Sequence, residues 1–236
     1  MKKHIPNLLT SLNLFSGCIA CIMAFNGLYF WVVIWVIIAA IFAFFDGFMA
    51  RILNAPSPVG KDLDSLADMV SFGFTPGLVV FTYLSNNSAF LPLDNILNVY
   101  IPYIGFLLTV FSALRLAKFN NDERQTTSFI GLNTPANTLF WISDIYWLNN
   151  SESATAWIVI VLLLVFLMSF LLIAELPMFS LKIKSFGIKG NELRYLLIVF
   201  FIVAFIIFGI AGIATGILFY IGLSVIQHFA SKKEYN

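Results

Sequence analysis

Long apolar stretches, separated by short polar segments, run along nearly the whole chain. Their apolar residues are continuous and do not alternate with polar residues at every second position, which predicts helices and not strands. A helix needs about 20 mainly apolar residues to cross a bilayer. Eight stretches approach this length: residues 6–25, 29–52, 63–84, 98–117, 134–148, 154–174, 192–209 and 211–230. The pattern therefore predicts an all-α integral membrane protein with about eight transmembrane helices.

The composition fits a membrane protein. Hydrophobic residues make up 60% of the 236 residues and charged residues only 11%, against about 25% charged residues in soluble domains. The formal net charge of +1 gives no indication of nucleic-acid binding. We expect one polytopic membrane domain over residues 1–236. The first apolar stretch contains Pro6, Asn7 and Asn13 and lacks a small-residue cleavage site, so we expect no cleavable signal peptide.

All 13 lysines and arginines fall in segments that the eight-helix arrangement places on one side of the membrane. They stand at positions 2, 3, 51, 61, 115, 118, 124, 182, 184, 189, 194, 232 and 233. Cytoplasmic segments of membrane proteins carry an excess of Lys and Arg. We therefore expect both termini to be cytoplasmic, together with the turn between the second and third helices.

Three carboxylates stand in the second and third apolar stretches, at Asp46, Asp64 and Asp68. An ionised group at the centre of a bilayer costs about 2.5–3.5 kcal/mol on insertion scales, so such a cluster indicates a function. Asp64 and Asp68 are four residues apart and share one helix face. The polar turn at residues 54–60 makes the two helices neighbours, so we expect the three carboxylates to converge on one pocket.

These residue types suit a divalent cation and a phosphorylated ligand. Mg²⁺ and Mn²⁺ prefer carboxylate and phosphate oxygens. Gly47 and Ala50 leave room beside Asp46, and Arg51 and Lys61 are placed to meet phosphate charge. Two other interpretations stay open, namely structural ion pairs between the acids and nearby bases, or a proton or cation pathway.

The acids belong to a longer pattern, D-G-x2-A-R-x8-G-x3-D-x3-D. Its fixed positions are Asp46, Gly47, Ala50, Arg51, Gly60, Asp64 and Asp68. The pattern resembles the signature of the CDP-alcohol phosphotransferases, which move a phosphate-bearing group from a CDP-linked donor to an alcohol and release CMP. Bacterial phosphatidylserine synthases, which belong to this family, are similar in further segments: residues 5–10, 13–17, 114–120, 129–132, 134–137 and 176–180.

The resemblance implies transfer of a phosphatidyl group from CDP-diacylglycerol to L-serine, which gives phosphatidylserine and CMP. It implies two bound ions, Mg²⁺ or Mn²⁺, that stabilise the diphosphate and the departing CMP. Asp46, Asp64 and Asp68 are then the metal-site carboxylates, and Asp68 is also the general base that takes the serine proton. The residues expected at the CDP moiety are Gly47, Ala50, Arg51 and Gly60. Those expected at the acceptor and the lipid phosphate are Arg115, Lys118 and Thr134.

The resemblance also has consequences for architecture and location. It implies a family core at about 1–174 and an additional helical pair at about 192–230. It further implies a homodimer among membrane lipids, in a bacterial inner membrane, with the active site facing the cytoplasm. Gly212 and Gly216 form a G-x3-G pattern that suits either a dimer face or close packing inside one chain.

Ala43 departs from the family pattern. Most relatives carry an additional Asp three residues before the D-G pair, where this chain has Ala43; a milder departure is Asn133, where relatives tend to have proline. Three carboxylates balance less of the charge of two divalent ions than four do, so we expect weaker metal binding and much lower activity than in an Ala43→Asp version. Three explanations compete for Ala43: an engineered inactivating substitution, a natural variant with water in the gap, or a pseudoenzyme. We favour the first two.

Other functions stay open at this point. The acid motif recognises the CDP donor and not the acceptor, so glycerol 3-phosphate or inositol is an alternative acceptor. The second alternative is a membrane protein that binds CDP-lipid or cations without catalysis, or a transporter. CMP release separates an enzyme from a binding protein, and cation flux without CDP-lipid indicates a transporter.

Overall fold

The computed structural model describes residues 4–54, 57–87, 95–122, 129–151, 154–179, 187 and 191–233. These residues form ten α-helices, some of them joined by shorter elements. The α-helices are α1 (His4–Phe25), α2 (Tyr29–Ile52), α3 (Pro58–Asp68), α4 (Thr75–Asn87), α5 (Asn95–Tyr100), α6 (Phe106–Asn121), α7 (Thr134–Asn149), α8 (Ala154–Ile173), α9 (Glu192–Phe208) and α10 (Ala211–Lys233). A π-helical segment (Met69–Phe74) joins α3 to α4, and a 3-10 helix (Ile101–Gly105) joins α5 to α6.

Each apolar stretch predicted from the sequence is helical over most of its length, so the prediction of a helical protein is confirmed. By length and composition, five helical segments of the described chain can cross a membrane: His4–Phe25, Tyr29–Ile52, Pro58–Asn87, Asn98–Asn121 and Ala211–Phe229. Trp157–Ile173 is a shorter apolar helix. The outward face of α9 is also apolar, with exposed side chains at Ile202, Phe205 and Ile206. Such a face suits contact with lipid chains.

The helix α3 begins ahead of the start predicted from the apolar pattern. The Oγ atom of Ser57 accepts a hydrogen bond from the main-chain amide of Gly60 at 3.0 Å, and Pro58 is the first helical residue. Serine before the first turn and proline within it are typical of helix starts. The apolar pattern does not predict the first turn of α3, because residues of that turn, such as Lys61, are polar.

Consecutive long helices run in opposite directions, which brings the beginning of α1, the end of α2 and the beginning of α3 together. The end of α6 and the beginning of α7 lie beside α3 at the same end of the bundle. α1 packs along α2 and against α3, while α7 packs against α2, α4 and α10. The buried core includes Phe72, Tyr83, Phe140 and Trp141. The polar residues are thereby collected at one end of an apolar bundle.

A short antiparallel ladder departs from the expectation of an all-helical chain. β1 (Phe129–Ile130) pairs with β2 (Pro177–Met178). Gly131 follows β1 with a φ of 75°, and its amide donates a hydrogen bond to the main-chain oxygen of Leu176 at 2.8 Å. Strands of two residues leave no alternating pattern in a sequence, so the apolar pattern does not reveal them. The ladder connects the segment before α7 to the segment after α8.

The G-x3-G pattern of α10 packs inside the chain. A Cβ atom added at Gly212 would collide with the main chain at Ala204 of α9, and one at Gly216 would collide with the ring of Phe201. Both glycines therefore allow α9 and α10 to approach each other within one subunit. This packing accounts for the pattern without a dimer, and the homodimer stays a prediction.

Basic residues gather at the end of the bundle where the acids lie, among them Arg51, Lys61, Arg115 and Lys118. Six of the basic residues predicted to lie on one side of the membrane fall outside the described residues: Lys2, Lys3, Arg124, Lys182, Lys184 and Lys189. The side of the membrane on which this end lies stays a prediction.

Candidate active site

A first cavity of about 230 Å³ lies between the beginning of α1, the end of α2 and the beginning of α3. Five of the seven positions of the acid motif line it: Asp46, Gly47, Ala50, Gly60 and Asp64. The rest of the lining comes from α1 and the start of α3: Pro6, Asn7, Thr10, Ser57 and Lys61. The fold thus places small residues, carboxylates and a lysine around one space.

Gly60 lies close to two other residues that line the first cavity. A Cβ atom at Gly60 would lie 2.9 Å from Oγ of Ser57 and 3.1 Å from Oδ1 of Asn7, so a side chain there would force these groups to move. Gly47 has more room, since the nearest atom to an added Cβ is Nη2 of Arg51 at 3.9 Å. A side chain at Gly60 would therefore disturb two groups that line this cavity.

Arg51 lies beside the first cavity and is not part of its lining. Its Nε atom donates a hydrogen bond to the main-chain oxygen of Gly47 at 2.9 Å, one turn earlier in α2. The side chain is exposed at the end of this helix. An exposed guanidinium at this position is suited to an anion that enters the cavity.

A second cavity of about 300 Å³ lies between α3, the end of α6 and the beginning of α7. Its lining includes Asp64, Asp68, Arg115, Asn133 and Thr134. Asp64 belongs to both cavities, and its carboxylate makes no hydrogen bond with the described residues. Molecules bound in the two cavities would therefore meet at Asp64.

Two polar side chains of α1 contact two of the three carboxylates. Oγ1 of Thr10 donates to Oδ2 of Asp46 at 2.8 Å, and Nδ2 of Asn13 donates to Oδ1 of Asp68 at 3.1 Å. Thr10 and Asn13 are buried, and buried polar groups are costly unless they are hydrogen-bonded. Neither residue belongs to the predicted site, although two polar residues three positions apart in an apolar stretch are a signal. α1 is therefore part of the site and not only of the scaffold.

Comparison with known proteins decides the family. The family described as CDP-alcohol phosphatidyltransferase matches residues 3–169, which is more than half of the chain. The chain belongs to the CDP-alcohol phosphatidyltransferase family. The resemblance drawn from the acid motif is thereby confirmed.

Curated proteins of this family are similar over more than half of the chain. A CDP-diacylglycerol–serine O-phosphatidyltransferase of Helicobacter pylori (strain J99) is 33% identical over 134 residues, which are 56% of this chain and 52% of that protein. A protein of the same name from Bacillus subtilis (strain 168) is 30% identical over 137 residues, 56% of this chain and 70% of that protein. An archaetidylserine synthase of Methanothermobacter thermautotrophicus is 28% identical over 162 residues, 66% of this chain and 64% of that protein. The chain thus spans about half the length of the Helicobacter relative.

Of the three residues expected at the acceptor and the lipid phosphate, the structure places two in the second cavity. Arg115 is buried and its guanidinium lies 5.2 Å from the ring centre of Phe119. Thr134 is fully buried, and its Oγ1 has no hydrogen-bond partner among the described residues. Lys118 lies outside the cavity lining, and its Nζ contacts Oε1 of Glu175 at 2.6 Å. Arg115 and Thr134 are therefore brought together with Asp68, and Lys118 is not.

The donor set of this family member consists of carboxylate oxygens, which suit Mg²⁺ or Mn²⁺. Asp46, Asp64 and Asp68 are close enough to interact electrostatically, and a cation among them would relieve their repulsion. Within the described ranges, no three acid, histidine or cysteine side chains are grouped tightly enough to hold an ion. Ala43 packs against the apolar core and adds no ligand. A metal at this site therefore needs further oxygens, from a bound diphosphate or from water.

Proposed function

We propose that this chain transfers a phosphatidyl group from CDP-diacylglycerol to L-serine, which gives phosphatidylserine and CMP. The observation that carries the proposal is the pair of cavities that share Asp64. One is lined by the residues of the CDP motif, and the other is lined by Asp68 and Arg115. The names of the Helicobacter and Bacillus relatives support serine as the acceptor.

In this proposal the first cavity receives the CDP moiety of the donor. Gly47, Ala50 and Gly60 present little side-chain volume to it. Arg51 and Lys61 lie where they can neutralise the diphosphate. Nζ of Lys61 donates a hydrogen bond to the main-chain oxygen of Asn120 at 3.0 Å, so the ammonium group is held between α3 and the end of α6. The two acyl chains extend into the surrounding lipid.

The second cavity receives serine, with its hydroxyl group near Asp68. The hydroxyl oxygen attacks the β-phosphorus, which carries the diacylglycerol, and the serine proton passes to Asp68. The bond from this phosphorus to the bridging oxygen breaks, and CMP leaves with that oxygen. Asn13 donates to Oδ1 of Asp68, which leaves Oδ2 for the proton. Arg115 lines this cavity and contributes a positive charge for the serine carboxylate, and Thr134 offers a hydroxyl group.

Asp46, Asp64 and Asp68 would hold two Mg²⁺ or Mn²⁺ ions together with the diphosphate. When bound, these ions stabilise the charge that develops on the diphosphate and on CMP. Ala43 supplies no carboxylate, so the site binds these ions more weakly. We therefore propose that the chain has reduced activity.

We also propose the topology predicted from the charges. The chain has eight spans, with α7, α8 and α9 added to the five segments that meet the length and composition criteria. Both termini and both cavities face the cytoplasm at a bacterial inner membrane, and two chains form a homodimer. The gathering of basic residues beside the cavities supports this orientation.

The direct test is CMP release by the purified chain in lipid nanodiscs with CDP-diacylglycerol, Mg²⁺ or Mn²⁺ and a panel of alcohols. We expect release to depend on L-serine and to be lost in Asp68→Asn. Release that depends on glycerol 3-phosphate or inositol, and not on serine, would contradict the acceptor. Binding of CDP-diacylglycerol without release, in this chain and in Ala43→Asp, would show a binding protein and not an enzyme.

Ala43→Asp should raise the activity of the chain. The new carboxylate stands one turn before Asp46, so it adds an oxygen ligand and a negative charge to the metal site. We expect CMP release with serine to rise roughly tenfold or more, the scale on which groups that support a metal change its affinity. Ala43→Asn is the control, because it has the same size without the charge. Equal release by the unsubstituted chain and Ala43→Asp would show that Ala43 is no defect.

A further inference from the structure

The helix that carries Asp64 and Asp68 changes its hydrogen-bonding pattern directly after Asp68. In the π-helical segment Met69–Phe74, main-chain hydrogen bonds reach back five residues instead of four. The main-chain amide of Thr75, for example, donates to the oxygen of Val70. Single π-turns inside α-helices occur frequently at functional sites. A change in the geometry of this segment would therefore move the acidic residues that precede it.

Pro76 is the local cause of this change. Proline has no main-chain N–H, and its ring clashes with the carbonyl four residues earlier, which here is that of Phe72. A regular helix would leave the oxygen of Phe72 without its donor. Inside a membrane, where no water is available, such an oxygen needs another partner.

A hydroxyl group from another helix supplies that partner. Oγ1 of Thr138, in α7, lies 2.7 Å from the main-chain oxygen of Phe72 and 2.9 Å from that of Thr134 in its own helix. Its one proton is shared between these two acceptors, and the contact with Phe72 is the shorter. Thr138 and Phe72 are both buried. On the neighbouring helix α6, Oγ1 of Thr109 donates to the oxygen of Gly73 at 3.1 Å. The two helices that flank the second cavity thus fasten the π-helical segment.

A second set of contacts links the same segment to the Asp68 carboxylate. Oγ of Ser71 donates to the main-chain oxygen of Asn13 at 3.1 Å, and Nδ2 of Asn13 donates to Oδ1 of Asp68, also at 3.1 Å. A Cβ atom at Gly17 would lie 2.9 Å from Cα of Ser71, so this glycine allows α1 to pack directly on the segment. A shift of the π-helical segment would therefore displace both Asp68 and the side chain that orients it.

We propose that Thr138 is a positioning residue for Asp68. By replacing the donor that Pro76 lacks, its hydroxyl group fixes the π-helical segment and so the direction in which the carboxylate faces the second cavity. Thr138 is not in the lining of either cavity, so its effect on Asp68 passes through the π-helical segment. The inference rests on the proposed function, in which Asp68 accepts the serine proton.

The test compares Thr138→Val, which removes the hydroxyl group and keeps the shape, with Thr138→Ser, which keeps the hydroxyl group. We expect Thr138→Val to lower kcat for CMP release on the order of tenfold or more, since small misplacements of reacting groups have effects of this size. The KM for CDP-diacylglycerol should stay within about twofold, because the first cavity is not altered. Thr138→Ser should restore most of kcat.

Hydrogen–deuterium exchange of the peptide that covers residues 69–75 supplies a readout without substrate. Exchange should be faster in Thr138→Val than in the unsubstituted chain and close to normal in Thr138→Ser. Thr215→Val is the matched control, because Oγ1 of Thr215 donates within its own helix to the oxygen of Gly212. It should change neither kcat nor this exchange.

Unchanged exchange in Thr138→Val, or a kcat equal to that of the unsubstituted chain, would overturn the inference. A fall in kcat that Thr138→Ser does not reverse would also overturn it. Failure of the proposed function gives a different result, which is the absence of serine-dependent CMP release from both the unsubstituted chain and Ala43→Asp.

Discussion

At the residue scale, Gly60 packs closely against Ser57 and Asn7 in the lining of the first cavity. Gly60→Ala would place a methyl group 2.9 Å from Oγ of Ser57 and 3.1 Å from Oδ1 of Asn7. We expect the KM for CDP-diacylglycerol to rise roughly tenfold, a typical effect of one methyl group in a binding pocket. Steady-state kinetics of CMP release measures this change.

Gly222→Ala is the control for the Gly60 substitution. Nothing lies within 4 Å of a Cβ atom at Gly222, which is also in a helix. Both substitutions favour the helix by a similar amount, so the control separates the cavity from helix stability. A donor KM that is unchanged in Gly60→Ala, or raised equally in both variants, would contradict the role of Gly60.

Thr134 offers a test in which stability and function change in different directions. Its hydroxyl group is buried without a partner in the described part of the chain, and removing such a group from an interior does not destabilise a protein. We therefore expect Thr134→Val to unfold at the same temperature or higher, while the KM for serine rises several-fold. Thermal unfolding and kinetics at saturating CDP-diacylglycerol measure the two effects. A lower unfolding temperature with an unchanged serine KM would show a structural role instead.

The residues of the first cavity could largely be named from the sequence, but their α1 partners could not. Asp46, Gly47, Gly60 and Asp64 follow from spacing, because a short turn between two helices makes their positions predictable. Thr10 and its neighbour Asn13 meet the acids only through the packing of α1 against α2 and α3. Spacing along one segment carries no information about such contacts.

At the element scale, helices were predictable because their apolar stretches are long and continuous. The start of α3 was not, since it depends on the cap at Ser57 and on Pro58 within a polar turn. The π-helical segment was not predictable either. Pro76 is visible in the sequence, but the hydroxyl group that accommodates the break comes from Thr138, far along the chain. The geometry around Asp68 is therefore a property of several helices together.

At the scale of the whole molecule, three carboxylates lie at the polar end of an apolar bundle. They repel one another, and no group of three possible ligands in the described residues is compact enough to hold an ion. A nucleotide diphosphate would supply the missing oxygens and take up the charge of the cation. Metal and CDP should therefore bind this protein cooperatively.

We expect Mn²⁺ to bind weakly to the protein alone and tenfold or more tightly with CDP, a coupling of roughly 1.4 kcal/mol. Titration followed by electron paramagnetic resonance measures the free ion, with Asp64→Asn as the variant that should lose the coupling. Chelation of the metal with EDTA should stop CMP release, and added Mn²⁺ should restore it. Equal Mn²⁺ affinity with and without CDP would contradict a site completed by the diphosphate.

In the proposed function, the serine hydroxyl group attacks the β-phosphorus of CDP-diacylglycerol. Serine labelled with ¹⁸O in its side chain, incubated with CDP-diacylglycerol and the Ala43→Asp protein, tests this attack through mass spectrometry of both products. We predict phosphatidylserine that retains the label, together with unlabelled CMP. Formation of phosphatidic acid and CMP without incorporation of serine would contradict attack by the serine hydroxyl group.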